Sequence, residues 1–147
     1  MPQYVVADTT TFSHLTTASK DSKAYQQMLG DRRLAVSFQT PAELRSAGFG
    51  PSRQQRVDEL LAVTLVLPHS QSTDVWYARV AEKRKELRKL QKPGDGASDA
   101  DVWIISSALE YRLPLVSHDR HQVHLGRAVA LRVLTNLDCL RDDNPTL

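Results

Sequence analysis

Four acidic residues stand where a metal-binding site could be assembled. Asp8 follows the apolar run YVVA, and Asp119 follows the apolar segment LPLVS. Glu43 and Asp101 each lie near the start of a segment with helical character. Carboxylates offer only oxygen ligands, which suit a hard divalent ion such as Mg²⁺ or Mn²⁺. Such an ion binds phosphate oxygens and lowers the pKa of its bound water, so phosphodiester hydrolysis is the chemistry this set could perform.

The elements that must position these acids alternate along the chain. Apolar runs, many of them β-branched, predict parallel strands buried on both faces. The predicted strands are Tyr4–Ala7, Leu34–Phe38, Val63–Leu67, Leu115–Ser117 and Ala130–Leu134. The predicted helices are Thr10–Leu29 (two helices broken near Ala18), Pro41–Ala47, Ser52–Leu61, Thr73–Gln91 and Asp99–Tyr111. This order predicts a three-layer α/β fold, and the length of 147 residues predicts a single domain over 1–147.

The α/β topology gives the scattered acids a reason to meet. In an open sheet, the carboxyl ends of the strands and the N-termini of the following helices share one edge. Each acid also has a structural interpretation: Glu43 and Asp101 could complete capping boxes, and Asp8 and Asp119 could cap helices. Four acids at one edge would raise one another's pKa values, and a bound cation would relieve that conflict. We therefore favour a metal site.

Composition excludes several classes of protein. Hydrophobic residues make up 41% of the chain and charged residues 24%, which excludes disordered, collagen-like and disulfide-scaffold proteins. The net charge of +2 is too small to indicate a nucleic-acid binder by itself. Cys139 is the single cysteine, interpreted as a packing residue in a reducing compartment. Without a secretion signal or a long apolar span at the sequence level, we expect a cytoplasmic protein with no membrane partner.

A basic segment could contact a polyanion. The range 79–92 carries seven Lys and Arg residues and two Glu residues, a balance of 7 − 2 = +5. One interpretation is a solvated helix face supported by charge pairs one turn apart. The other is a stripe that contacts phosphates, with Lys83, Arg84 and Arg88 as candidates.

At its acidic residues the sequence resembles a PIN domain, and specifically the VapC-type ribonuclease toxins. The matching pieces are VVADTTTFSHL, TPAEL and DVWIISSALEYRLPLVSHDRH, and the resemblance extends from Tyr4 to about Leu137. It implies a PIN-like central parallel sheet of about five strands, dependence on Mg²⁺ or Mn²⁺, and endonucleolytic cleavage of structured RNA. It also implies a homodimer neutralised by a VapB-type antitoxin.

The resemblance also assigns roles to individual residues. Asp8, Glu43, Asp101 and Asp119 match the four family acids and are the expected catalytic residues. Asp8 and Asp101 would be the principal metal ligands, and Asp119 would complete the metal pocket. Glu43 would bind a second ion or position the attacking water. Asp99 is an alternative to Asp101, although the spacing to the following Trp-Ile pair favours Asp101.

Further residues near Asp119 belong to the same expectation. Ser117 and Arg120 are candidate substrate contacts, and Ser117 could also donate a hydrogen bond to a ligand carboxylate. His118, His121 and His124 are spaced three apart, but no further ligand stands at structural-zinc spacing, so rim or packing roles are favoured. Two alternatives remain open: a catalytically silent RNA-binding or interaction module, and a PIN nuclease that acts on DNA.

Overall fold

A parallel sheet forms the centre of the molecule. The computed structural model describes residues 3–137, 140 and 141, so Cys139 lies outside the described residues. The strands of the described part are β1 (Tyr4–Ala7), β2 (Arg33–Ser37), β3 (Leu65–Leu67), β4 (Leu115–Val116) and β5 (Val133–Leu134). Their order is β3-β2-β1-β4-β5, and every neighbouring pair is parallel. The first strand of the chain is therefore the middle strand of the sheet.

Helices cover both faces of this sheet. They are α1 (Thr9–His14), α2 (Lys20–Leu29), α3 (Thr40–Arg45), α4 (Pro51–Ala62), α5 (Gln71–Leu90), α6 (Asp99–Glu110) and α7 (Arg120–Ala128). Among the described helices, none combines the length and apolarity that crossing a bilayer requires.

The two faces of the sheet carry separate apolar cores. Successive strand residues point to opposite faces, so Val5 packs with α1 to α4 while Val6 packs with α5 to α7. Phe12 and Tyr25 lie in the first core, and Ile105 lies in the second. The predicted three-layer α/β fold is confirmed, including strands buried on both faces at the centre of the sheet.

Strand β3 differs from its prediction. The apolar run 63–67 was expected to form a strand buried on both faces, but Leu65 and Val66 are 42% and 41% exposed. The strand lies at the edge of the sheet and begins at Leu65, because Val63 still caps the end of α4. The expectation of double burial is therefore wrong for β3.

The loop between α5 and α6 is packed closely against α7. Gly94 has φ +100°, and a Cβ atom there would lie 2.9 Å from the backbone nitrogen of Leu125. Arg84 Nη1 donates to the carbonyl of Ala97 at 3.2 Å, and Arg88 Nε donates to the carbonyl of Asp95 at 2.9 Å. These contacts fix the point at which α6 begins.

Candidate active site

Asp8 lies at the end of β1, in the middle of the sheet edge. It is 3% exposed and caps α1, because its Oδ1 accepts a hydrogen bond from the Thr11 backbone nitrogen at 2.8 Å. Its Oδ2 accepts from the hydroxyl of Ser117 at 2.9 Å. Both carboxylate oxygens of Asp8 are therefore held by the protein in a fixed orientation.

Asp119 follows the neighbouring strand β4 and caps α7. Its Oδ1 accepts from the Gln122 backbone nitrogen at 3.0 Å, and its own backbone nitrogen donates to Ser117 Oγ at 3.1 Å. Ser117 is fully buried and so connects Asp8 with the residue two positions further along. The Ser117 hydroxyl thus donates to the Asp8 carboxylate and accepts from the Asp119 backbone nitrogen.

Asp101 forms the capping box that the sequence allowed. The Ser98 backbone nitrogen donates to Asp101 Oδ2 at 2.8 Å, and the Asp101 backbone nitrogen donates to Ser98 Oγ at 3.1 Å. Its remaining oxygen, Oδ1, accepts from Gln122 Nε2 at 3.2 Å. Gln122 is fully buried and bonds to Asp119 through its backbone and to Asp101 through its side chain.

Glu43 is held less closely: burial raises its pKa, and hydrogen bonding from the Thr9 and Gln39 side chains opposes part of that rise. The capping box that could have occupied it does not form, because α3 already begins at Thr40 and its N-cap, Gln39, makes no side-chain capping bond. Glu43 Oε1 and the hydroxyl of Thr9 are both buried and make no hydrogen bond of ordinary geometry. The Gln39 side chain instead donates to the carbonyl of Ala100 at 3.3 Å, which ties the start of α3 to α6.

The four acids form an electrostatically coupled row. Asp119 raises the pKa of both Asp8 and Asp101, and Asp101 raises the pKa of Glu43. Burial is the larger cause in each case, and it raises the pKa of Asp8 from 3.8 to about 6. Hydrogen bonds from Thr11 and Ser117 oppose part of that rise for Asp8. The structure thus brings all four predicted acids to one edge of the sheet.

These residues fit a hard divalent cation. The donor set is all oxygen, and it includes the buried Oε1 of Glu43, which makes no hydrogen bond of ordinary geometry. Among the described residues, no three of these acids bring ligand atoms within 4.8 Å of one another. At that spacing no more than two of these carboxylates could contact one ion directly, so a third would act through water, which Mg²⁺ retains in its coordination shell. Asp8, Asp101 and Asp119 would hold it.

The structure gives the predicted basic contacts different surroundings. Arg84 forms an ion pair with Asp99 at 2.9 Å, and Arg88 binds backbone carbonyls of the α5–α6 loop. Lys83 lies 3.2 Å from Glu86 on the same helix, and Arg120 is exposed at the start of α7. Arg84 and Arg88 therefore have structural partners. Asp99 pairs with the guanidinium group of Arg84 and does not belong to the acidic row.

Sequence reasoning missed two features of this edge. Gln122 stands three residues after Asp119, a capping-box spacing that would have marked it as a polar residue with a local partner. A group of packed rings also lies here: Trp103 is 5.3 Å from Phe38 and 4.0 Å from Tyr77, measured between ring centroids. No periodicity in the sequence signals that contact, since the rings come from separate elements.

The fold and this edge together define a three-layer α/β protein with a candidate oxygen-ligand metal site. A family comparison matches the PIN domain over residues 5–128. The chain therefore belongs to the PIN domain family. PIN domains are nucleases and generally use divalent metal ions. No curated protein sequence matches the chain.

Solved structures share this fold at low sequence identity. The chain is similar to one in VapBC2 from Rickettsia felis bound to a promoter DNA fragment, with 17% identity and a TM-score of 0.68, covering 90% of this chain and 98% of that one. It is similar to one in VapBC-1 from nontypeable Haemophilus influenzae, with 23% identity, a TM-score of 0.64 and coverage of 90% and 98%. It is also similar to a chain in VapBC-5 from Mycobacterium tuberculosis, with 24% identity and a TM-score of 0.61, covering 91% of this chain and 98% of that one.

Proposed function

We propose that the chain is a Mg²⁺-dependent endoribonuclease, a VapC-type toxin that cleaves structured RNA, with Mn²⁺ as an alternative ion. The observation that supports this most is the coupled row of Asp8, Asp119, Asp101 and Glu43 at the carboxyl edge of the sheet. Membership of a nuclease family supports the reaction class. When bound, the ion would supply Lewis-acid activation of phosphate and water.

The chain's own residues would keep the carboxylates aligned. Ser117 donates to Asp8 and Gln122 donates to Asp101. Together with the capping bonds from Thr11 and Ser98, these contacts fix both oxygens of the two carboxylates. Glu43 has a buried oxygen, Oε1, without a hydrogen bond of ordinary geometry, and it would orient the attacking water or contribute to a second ion. Asp119, at the N-terminus of α7, would complete the pocket.

Contacts to the RNA backbone would come from cations around this edge. We assign phosphate contacts to Lys83 and Arg120, whose side chains are not committed to the α5–α6 loop. Arg84 and Arg88 would act by holding that loop. Ser117 would act through Asp8 rather than on the substrate.

A protein partner is part of the same proposal. The matched structures are VapBC complexes, which supports a VapB-type antitoxin as the partner. We also propose a homodimer that acts in the cytoplasm. These assignments depend on the family likeness and are separable from the nuclease chemistry.

The test is a cleavage assay with the purified chain, free of partner. Structured RNA and DNA of the same sequence are each incubated with Mg²⁺, with Mn²⁺ and with EDTA. We expect internal cleavage of RNA that needs the ion and disappears in Asp8→Asn. Cleavage of DNA alone would replace this proposal with a DNA nuclease. RNA binding without cleavage under either ion would indicate a silent binding module.

A further inference from the structure

A second group of metal-ligating side chains lies beside the acidic row without sharing any residue with it. His14 ends α1, Asp21 stands in the first turn of α2, and His118 lies in the loop between β4 and α7. One ligand atom from each of these three residues lies within 4.8 Å of the others. Among the described residues this is the one group of three or more potential ligands that is so close.

The ring of His118 is held in an orientation that suits metal binding. Its Nδ1 lies 2.5 Å from the hydroxyl of Tyr25, and its Nε2 lies 4.0 Å from Asp21 Oδ2. The Tyr25 hydroxyl is also 3.4 Å from the carbonyl of Ser117, to which it can donate. When the Tyr25 hydroxyl donates to that carbonyl, its oxygen accepts a hydrogen bond from Nδ1–H, and Nε2 is then the unprotonated ligand atom. Histidine ligands generally have such a partner on their second nitrogen.

His14 supplies an independent indication. Its Nδ1 is buried and has no hydrogen-bond partner, an arrangement that costs free energy unless a ligand satisfies it. Burial is the main cause that lowers the pKa of His14, which favours the neutral imidazole, the form that binds metals. Its ring centroid is 5.3 Å from that of His118.

We propose that His14, Asp21 and His118 form a binding site for one borderline-soft divalent ion such as Zn²⁺. Two imidazole nitrogens and one carboxylate oxygen are a common three-ligand set for zinc and leave a fourth position for water. Tetrahedral zinc with such ligands needs ligand atoms about 3.3 Å apart, so side chains whose ligand atoms now lie within 4.8 Å must approach by up to about 1.5 Å. Asp21 can move, because its side chain is 47% exposed.

Bound there, the ion would connect three separate elements. It would join the end of α1, the start of α2 and the loop that precedes α7. Since Asp8 caps α1 and Asp119 caps α7, the ion would restrain the segments that carry two members of the acidic row. This proposal is independent of the RNA substrate and of the hard-ion site.

Basic residues around the group suggest the competing ligand. Lys20 and Arg141 line the adjoining cavity of about 550 Å³ together with His118. The positive charge of Arg53 also contributes to lowering the pKa of His14, after burial as the main cause. Such a lining would attract an anion, so inorganic phosphate must be tested beside the metal. The closely spaced imidazole and carboxylate ligand atoms favour the cation.

The test is a Co²⁺ titration of the metal-free full chain, with excess Mg²⁺ present to occupy the acidic row. We expect one equivalent of Co²⁺ to produce the visible absorption of a low-coordinate site, and Zn²⁺ to abolish it. His14→Gln and Asp21→Asn should weaken Co²⁺ binding by at least about tenfold, and Tyr25→Phe by about tenfold. Asp8→Asn and His121→Gln, the matched controls, should bind as the wild type does.

Zn²⁺ should also raise the melting temperature of the wild type and leave that of Asp21→Asn unchanged. Because Asp21 is half-exposed, this variant is expected to fold even where His14→Gln does not. Three results would overturn the site: no stoichiometric Co²⁺ binding, equal binding by Asp21→Asn and wild type, or loss of binding in Asp8→Asn. Stabilisation by phosphate but not by Zn²⁺ would assign the cavity to an anion instead.

Discussion

Asp8 caps helix α1 and is also a proposed metal ligand, and its position at the end of β1 allows both roles. Its oxygens cap α1 and accept a hydrogen bond from Ser117, yet burial keeps the pKa of the carboxyl near 6. With a pKa of about 6 the carboxyl group is mostly ionised at neutral pH, but burial makes its charged form less stable than it is in water. A bound cation would offset that cost.

The raised pKa of Asp8 predicts how stability depends on pH in EDTA. The folded chain retains the Asp8 proton better than the unfolded chain does, so this contribution is complete below pH 3.8. It is lost as pH rises through about 6, and it amounts to on the order of 3 kcal/mol. Urea unfolding at a series of pH values should show wild type losing stability relative to Asp8→Asn across this window.

The difference in unfolding free energy between the wild type and Asp8→Asn isolates the contribution of Asp8. The contribution of His14, which changes with pH in the opposite direction, is present in both proteins and cancels. His14 has a lowered pKa, so its contribution grows with pH. Parallel stability curves for wild type and Asp8→Asn would contradict the raised pKa. Added Mg²⁺ should restore stability to the wild type at neutral pH more than to the variant.

Two acids in the first turn of α6 offer a matched pair. Asp101→Asn should abolish RNA cleavage, since Asp101 belongs to the acidic row. Asp99→Asn should leave cleavage within about twofold, because Asp99 is 76% exposed and pairs with Arg84. Initial rates at saturating Mg²⁺ measure both. The assignment fails if Asp99→Asn is the inactive variant.

At this scale the sequence predicted which acids meet, the helix caps formed by three of them and the hydrogen bond from Ser117, but it missed the contact from Gln122. The meeting follows from topology, because strand ends and helix starts share an edge whatever the side chains do. The hydrogen bond from Gln122 to Asp101 and the failure of the Glu43 capping box depend on tertiary packing. Local spacing could not decide them.

Among the elements, α7 was not predicted as a helix, although Asp119 was recognised as a possible cap. The segment RHQVHLGRA contains several weak helix formers, and Gly126 disfavours a helix by intrinsic propensity. In the folded chain that glycine is required, because a Cβ there would lie 2.8 Å from Val133 Cγ2. Close packing of α7 on β5 therefore overrides propensity.

In the basic helix α5, a positive charge does not by itself indicate a phosphate contact. Arg84 is only 11% exposed on its side chain and donates to the Ala97 carbonyl, so it supports the loop before α6. Arg84→Gln should lower the free energy of unfolding by about 1–2 kcal/mol. Lys85→Gln, an exposed neighbour on the same helix, should change it by less than about 0.5 kcal/mol.

Urea denaturation of the two variants measures this difference, and equal stabilities would show that Arg84 is a solvated surface residue. The same variants separate structure from substrate contact. A change in the salt dependence of RNA binding is expected for Lys83→Gln, with a slope smaller by about one. Arg84→Gln should leave that slope unchanged.

For the whole molecule, both apolar cores pack against one sheet and share strand β1. Neither core can open without exposing the other face of the same strand. We therefore expect residues 1–147 to unfold in a single transition, as a single domain. Far-ultraviolet circular dichroism and fluorescence of the two tryptophans should give coincident urea curves. Two separated transitions would contradict the one-domain prediction.

The position of β1 in the sheet has a consequence for the life of the chain during synthesis. Asp8 follows β1 and accepts a hydrogen bond from Ser117, which lies 109 residues later in the chain. Strand β4 is also needed, because it pairs with one side of β1. A ribosome must translate and release nearly the whole polypeptide before the carboxylates can assemble. The proposed nuclease site therefore cannot form on the emerging chain until β4 has left the exit tunnel.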